Sequence, residues 1–394
     1  MNNRDIDTVL IYGDSTVGNP DLKYLLGVEL PRGGIFAKKI NSDPILITSQ
    51  IDLGSASKGR IDEIYTYDDY DYNSLLSTYG NGAYIRLLDS ILKKIDSNGV
   101  IGIYGRVSIS NALITVEQLK TLGHLVKGEP SPTLLDTIRE TKSHDEINLI
   151  KVAGEKTVSI IHEVENMFKS CVIKNDSVYC DDSELTVGMV KNLIRKLLAE
   201  KNMSQISETI LAIGTKSSDP HEHGDYSDII RANEPIVFDI FPIDSSGYCF
   251  DCTRTYVIGE ASTKLKEMYS AVLESQELAL DLINSDVEQS SIMEKSCKSL
   301  SSRGFNTPIS DTFSNKENKL KGFIHSLGHG VGLTIGEPPY ISLRSSNSLK
   351  NGHVFTVEPG LYDPDIGGVR IEDTVAVLDD SCVNLTPLNK SLEL

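Results

Sequence analysis

Over residues 1–132, short apolar runs punctuated by Gly, Pro, Asp and Asn alternate with stretches whose apolar residues recur at helical spacing. The runs at 9–12, 34–38, 44–48 and 100–104 predict strands. Ile85, Leu87, Leu88, Ile91 and Leu92 form one stripe and predict a helix over 84–95, and a second helix is expected over 113–122. This alternation describes a small α/β domain. The cluster Gly128-Glu-Pro-Ser-Pro-Thr133 breaks it, which divides the chain into domains 1–132 and 133–394.

Past the break, Ser143 and Glu146 stand three apart ahead of Ile147, Ile150, Ala153, Ile160 and Ile161, the signature of a boxed, long helix. Residues 187–198 carry a second helical stripe, and 206–213 reads as a strand. Two apolar runs then flank the turn Asp244-Ser-Ser-Gly247 and predict a hairpin over 234–255. Each of its strands carries one aspartate, Asp239 and Asp251. Helices are expected next at 262–283 and 285–304, the second opened by a box of Ser285 and Glu288. A second hairpin follows over 354–377, again with one carboxylate per strand, Glu358 and Glu372. Two helices and a carboxylate-bearing hairpin thus occur twice, which predicts two pseudo-symmetric halves with a site between them.

Composition narrows the classes. A hydrophobic content of 39% and a charged content of 24% fit a soluble globular protein. The net charge of -18 argues against nucleic acid or an anionic membrane as partner, because both need a basic face. The polar start Met-Asn-Asn-Arg-Asp has no signal-peptide core. No run approaches the ~18 apolar residues of a membrane-spanning helix. A cytoplasmic location is expected, with the six scattered cysteines as reduced thiols. Cys249 and Cys252 would point to opposite faces of a strand, so they read as packing residues and not as a redox or zinc pair.

Aspartate is depleted in strands and rarely buried unless paired. Four carboxylates converging in a core need cations, since unpaired buried charge is very costly. Two divalent ions balance them by charge. His329, between Gly328 and Gly330, offers a nitrogen donor, and an oxygen-rich shell with one imidazole suits Mn²⁺, Co²⁺ or Zn²⁺. His325, four residues earlier, would support the site or touch substrate. Strand parity puts Thr253 on the face of Asp251 and Arg370 on the face of Glu372. Arg370 is expected to orient Glu372 or bind a substrate carboxylate or carbonyl; alternatively it satisfies the carboxylates in place of metal. His353 faces away and reads as structural.

Phe238-Asp239-Ile, Asp251-Cys-Thr-Arg-Thr, His325-Ser-Leu-Gly-His329-Gly-Val-Gly-Leu, Thr356-Val-Glu358-Pro-Gly-Leu-Tyr and Gly368-Val-Arg-Ile-Glu372-Asp, in this order and spacing, resemble the pita-bread metallopeptidases. That family contains Xaa-Pro aminopeptidases, prolidases and methionine aminopeptidases. The N-terminal domain resembles the creatinase-type domain of its proline-directed members, which methionine aminopeptidases lack. The resemblance implies an α/β N-terminal domain followed by an α+β pita-bread catalytic domain with a pseudo-two-fold internal repeat. It implies two divalent metal ions per subunit, Mn²⁺ or Co²⁺ foremost and otherwise Zn²⁺, held by Asp239, Asp251, His329, Glu358 and Glu372. Asp251 and Glu372 would bridge the ions, and Glu358 would also shuttle a proton. His325 and His221 take the places of catalytic histidines, with His223 a competitor for the place of His221. Arg370, Tyr362 and His223 fall on the substrate side.

The implied activity is that of an exopeptidase, an Xaa-Pro aminopeptidase cleaving the N-terminal Xaa-Pro bond of small peptides by a metal-bridging hydroxide. The alternative is an Xaa-Pro dipeptidase. A homodimer is implied as well. One departure stands out: Gly336 occupies the place of a family histidine. Either His223 or Tyr362 substitutes for it, or the substrate differs, or catalysis is lost.

Overall fold

In the computed structural model, residues 1–310 and 321–394 are described. The chain divides into two compact units, Met1–Ile138 and Arg139–Leu394. The first is built on a six-stranded sheet. From edge to edge its strands are Glu63–Thr66, Ile45–Thr48, Gly34–Lys39, Thr8–Gly13, Val100–Tyr104 and Leu125–Lys127. The four strands expected from apolar runs form its centre. The two edge strands carry too little apolar pattern to be read from sequence, which is common at an edge. The helix Ala83–Lys94 buries the predicted stripe of Ile85, Leu87, Leu88, Ile91 and Leu92 in the same core as the central strands. The other helix runs Ile109–Thr121 and starts before the predicted position, because the Ser108 hydroxyl caps it by accepting the Asn111 N–H.

The second unit opens with the helix His144–Ser170. Its predicted capping box is formed: the Ser143 hydroxyl accepts the Glu146 N–H at 3.3 Å, and the Glu146 carboxylate accepts the Ser143 N–H at 2.8 Å. The strands Val172–Lys174 and Ser177–Cys180 then fold back on each other and pair Cys171 with Cys180 as a disulfide, Cα atoms 4.6 Å apart. This corrects the expectation of free thiols for these two. The tight reversal at Asn175 and Asp176, both at positive φ, closes a distance that linear spacing hides. Cys249, Cys252, Cys297 and Cys382 are free.

After the helix Val187–Glu200, the strands Ile210–Ile213, Pro235–Ile240 and Cys252–Val257 form an antiparallel sheet in that order. The strand predicted over 206–213 is confined to its last four residues. The helices Thr263–Leu282 and Gln289–Ser302 follow. Then Gly328–Val331, Val354–Val357 and Asp373–Leu378 lie side by side, antiparallel, within a five-stranded sheet that Ile335–Ile341 and Ser381–Asn384 complete. The predicted repeat is present, and each half has a third strand as well. Phe168, Val190 and Phe238 belong to the core of the first half, and Met268, Val272 and Phe355 to that of the second. Among the described residues no helix is long and apolar enough to cross a membrane.

Two further expectations are corrected. Ser285 and Glu288 form no capping box. The Ser285 hydroxyl donates to Asp380 instead, and the backbone from Asp286 to Gln289 pairs with Asn347 and Leu349, so the helix begins only at Gln289. The second hairpin is not continuous. Val354–Val357 pairs with Asp373–Leu378, and Gly360–Asp363 pairs with Gly367–Arg370. Between these ladders lie two interruptions, Glu358-Pro359 and Ile371-Glu372. Pro359 has no N–H to give to a ladder. Both glutamates therefore sit in breaks between strands. Asp251 likewise immediately precedes its strand, whereas Asp239 lies within one, opposite Thr253.

Candidate active site

Asp239, Asp251, His329, Glu358, Arg370 and Glu372 line one cavity of about 650 Å³, together with His221, His223 and His325. Asp251 and Glu372 are only 4% and 2% exposed, and Asp239 is buried too. Glu358 is the most exposed of the four carboxylates. The first half of the repeat supplies the aspartates and the second half supplies the glutamates and His329.

Glycines make room for His329. A Cβ at Gly328 would collide with the Thr356 carbonyl, and one at Gly330 with the carbonyls of Glu337 and Pro338. The imidazole Nδ1 lies 3.2 Å from the Gly330 carbonyl, so Nδ1 carries the hydrogen. The Nε2 lone pair then faces the carboxylates, 3.7 Å from Asp251 and 3.5 Å from Glu358. Asp251, His329 and Glu372 each offer one ligand atom, and these atoms lie within 4.8 Å of one another.

Two threonines hold the glutamates. The Thr253 hydroxyl donates to Glu372 at 2.7 Å. The Thr356 hydroxyl accepts the His329 N–H at 3.1 Å and donates to Glu358 at 3.2 Å. Thr356 was available to strand parity, since it stands two residues before Glu358. Arg370 donates to Asp239 Oδ2 at 2.7 Å and to the Tyr362 hydroxyl at 2.8 Å. Tyr362 in turn donates to His325 Nε2 at 2.9 Å, and His325 Nδ1–H donates to the Ser326 carbonyl at 2.8 Å. Both nitrogens of His325 are committed. Burial, then the charge of Arg370, pushes its pKa down to about 3, so the ring is neutral. Tyr362 is not part of the cavity wall; it connects Arg370 to His325 from the side.

The charge balance is lopsided. Among the described residues, four carboxylates face one guanidinium. Burial, then the charges of Glu372, Asp239 and Glu358, pushes the Asp251 carboxyl well above its ordinary range. Burial is also the first cause for Glu358, pushed up to about 8 with Asp239 adding to the effect while Arg370 opposes it. Glu372 is pushed up to about 8 by burial and by the charges of Glu358 and Asp239. Among the described residues, Asp239 Oδ1 and Asp251 Oδ1 are buried without a hydrogen-bond partner. Buried acceptors left bare, beside an imidazole lone pair, call for a cation. Arg370 does not serve as that cation for the whole cluster, because it engages only the other oxygen of Asp239. The residues fit divalent metal ions.

Behind the carboxylates lies Arg254, which is fully buried. It donates to the carbonyls of Thr253 at 2.9 Å, Glu372 at 2.6 Å, Leu388 at 3.0 Å and Asn389 at 3.1 Å, and to the Asp373 carboxylate at 2.8 Å. Asp373 also accepts from Lys390 and Asn384 at 2.8 Å each. The sequence shows Arg254 in an apolar strand but nothing of its partners.

The two histidines of Pro220-His221-Glu222-His223 differ. His223 Nδ1 donates to the Glu208 carbonyl at 2.9 Å, which fixes the ring and leaves Nε2 for the cavity. His221 is exposed. Gly336 is exposed at φ +81°, a conformation that favours glycine, and a Cβ there would meet open space. His353 is fully buried and accepts the Lys350 N–H at 3.2 Å, outside the cavity wall.

The fold and this donor set define a pita-bread metallopeptidase. Residues 148–379 match metallopeptidase family M24, and the chain belongs to that family. An Xaa-Pro dipeptidase of Pyrococcus furiosus is 31% identical over 288 residues, covering 70% of this chain and 76% of the relative. The solved structure of an Xaa-Pro dipeptidase from Bacillus anthracis matches with a TM-score of 0.80 at 22% identity, over 100% of this chain and 96% of that one. An X-Pro aminopeptidase from Thermotoga maritima matches with a TM-score of 0.77 at 25% identity, over 99% and 98%. The likeness takes in the N-terminal α/β unit as well as the catalytic one. Membership of the family implies divalent metal ions and peptide substrates.

Proposed function

We propose that the chain is an Xaa-Pro dipeptidase that works with two divalent ions held by Asp239, Asp251, His329, Glu358 and Glu372. The observation that carries the reading is the pair of aspartate oxygens, Asp239 Oδ1 and Asp251 Oδ1, buried without a partner among the described residues, in a cavity of small-peptide size where His329 Nε2 lies 3.7 Å from the other oxygen of Asp251. Proline in the second position is favoured by the name that the Pyrococcus relative bears over three-quarters of its length. That name also favours a dipeptidase over the aminopeptidase put first by the sequence motifs. The Thermotoga structure keeps the aminopeptidase as a second reading.

Mn²⁺ or Co²⁺ suits an oxygen-rich shell with one imidazole. When bound, the ions polarise the scissile carbonyl and make water acidic enough to attack near neutral pH. The protein's own groups do the rest. Glu358, held by Thr356 and nearest to solvent, takes the proton of the attacking water and delivers it to the leaving prolyl nitrogen. His223, anchored on the Glu208 carbonyl, presents Nε2 to the substrate; the exposed His221 is the second choice for that role. Arg370 orients Asp239 and, through Tyr362, keeps His325 neutral and in place.

The test is a pair of substrates. Metal-stripped protein is reloaded with Mn²⁺ and given an Xaa-Pro dipeptide beside an Xaa-Pro-Xaa tripeptide. Cleavage confined to the dipeptide is expected. A tripeptide cleaved with equal or higher kcat/KM moves the assignment to an aminopeptidase. If neither is cleaved with two ions bound, the substrate is of another kind.

A further inference from the structure

Gln276 sits in the helix Thr263–Leu282 and is fully buried. Its side-chain amide donates one hydrogen bond to the Val357 carbonyl at 2.9 Å and another to the Ile371 carbonyl at 3.1 Å. Val357 immediately precedes Glu358, and Ile371 immediately precedes Glu372. These are the points where the two ladders of the second hairpin are interrupted. Across the gap the closest backbone hydrogen bond is a long one, from Ile371 N–H to the Pro359 carbonyl at 3.4 Å. One amide therefore spans the two breaks that present the glutamates.

We propose that Gln276 is a positioning residue for the metal centre, setting the spacing of Glu358 and Glu372 through the carbonyls that precede them. This rests on the reading that the two glutamates hold metal. Two observations support a geometric role beyond packing. The Gln276 Oε1 is buried with no hydrogen-bond partner among the described residues, a cost that an apolar side chain of the same size would not carry. The helix is itself pinned next door, where the Ser275 hydroxyl meets the Ser296 hydroxyl of the helix Gln289–Ser302 at 2.7 Å. The amide thus hangs from a fixed platform. Thr253 and Thr356 hold the glutamate carboxylates, while Gln276 holds the backbone that precedes them.

The experiment compares the metal-stripped full chain with its Gln276→Met and Gln276→Asn variants, titrated with Mn²⁺ in a calorimeter. Methionine fills the volume without donors. Asparagine keeps the amide but is one methylene short of both carbonyls. Outer partners of metal ligands typically contribute about 10–100-fold in affinity, so Gln276→Met is expected to bind Mn²⁺ about tenfold more weakly or worse. Its melting temperature without metal should fall only modestly, because removing the bare Oε1 offsets part of the cost of the two orphaned carbonyls. The Co²⁺ absorption spectrum, which reads ligand geometry directly, should change as well. A folded Gln276→Met with wild-type Mn²⁺ affinity overturns the proposal, including the case where only its melting temperature falls, which would assign Gln276 to packing. Should Gln276→Met not fold, Gln276→Asn decides in the same way. A wild type that binds no Mn²⁺ is a different failure: it removes the metal reading itself, before any variant is compared.

Discussion

Arg254→Met is the sharpest test of how the carboxylate strands are held. The substitution removes the donor to four carbonyls, three of them in buried hydrogen bonds, and one partner of the Asp373 carboxylate, whose side chain is 0% exposed. Removing one partner of a buried ion pair costs ~3–5 kcal/mol. Lys390 stays 2.8 Å from Asp373, which draws the cost toward the lower end. The orphaned carbonyls draw it back up. At roughly 2–4 °C per kcal/mol for a unit of this size, the melting temperature should fall by about 10 °C. The double variant Arg254→Met/Asp373→Leu removes the stranded charge and should recover about half of the loss. Circular dichroism melts of the metal-stripped proteins at neutral pH read both effects. A single variant that melts within about 2 °C of wild type, or a double variant no better than the single, refutes the reasoning.

Two pH profiles follow from the same electrostatics. Glu358 and Glu372 are pushed up to about 8 by burial and by neighbouring carboxylates. Their unfolded values are about 4.3, so the metal-free fold holds protons that the unfolded chain has released. Its stability is therefore greatest below the unfolded value and declines as pH rises through the folded one. The melting temperature of chelated protein should fall between about pH 5 and pH 8, and saturating Mn²⁺ should remove that slope; a flat chelated profile would contradict the crowding of the site. The opposite sign holds for Asp244. Burial works to raise its pKa, but hydrogen bonds from Lys156 and Ser246 outweigh this and hold it below the ordinary range. The stability it contributes is present above its unfolded value of about 3.9 and lost as pH falls through the lower folded value. Lys156→Met should thus lower the melting temperature at neutral pH, and the gap to wild type should close in acid; a gap constant with pH would reject this assignment.

Much of the centre was legible because charged residues in apolar runs are conspicuous. Asp239 and Asp251 interrupt Phe, Ile and Val, and His329 stands among glycines that only a close approach explains. The cavity brings these together with Glu358, Glu372 and Arg370. What stayed hidden depends on partners distant in sequence or on backbone geometry. Gln276 looks like any polar residue of an amphipathic helix until its carbonyl partners are known. The break at Glu358-Pro359 had a signal in the proline, yet the apolar alternation on either side read as one strand. His221 and His223 were indistinguishable by spacing; the Glu208 carbonyl that anchors His223 and the exposure of His221 separate them. The Cys171–Cys180 pair depended on a two-residue reversal that composition does not announce.

The clamp around Arg254 also bears on how the chain comes to be folded. Its bond to Asn389 joins residues 135 apart, Arg370 meets Asp239 across 131, and Thr253 meets Glu372 across 119. Closing loops of that length is slow, and none of these contacts exists until both halves of the repeat have been made and docked. A ribosome-bound first half would carry its two aspartates without a centre. Uptake of metal is therefore a late event in the life of the chain, and its kinetics would time the last step of folding.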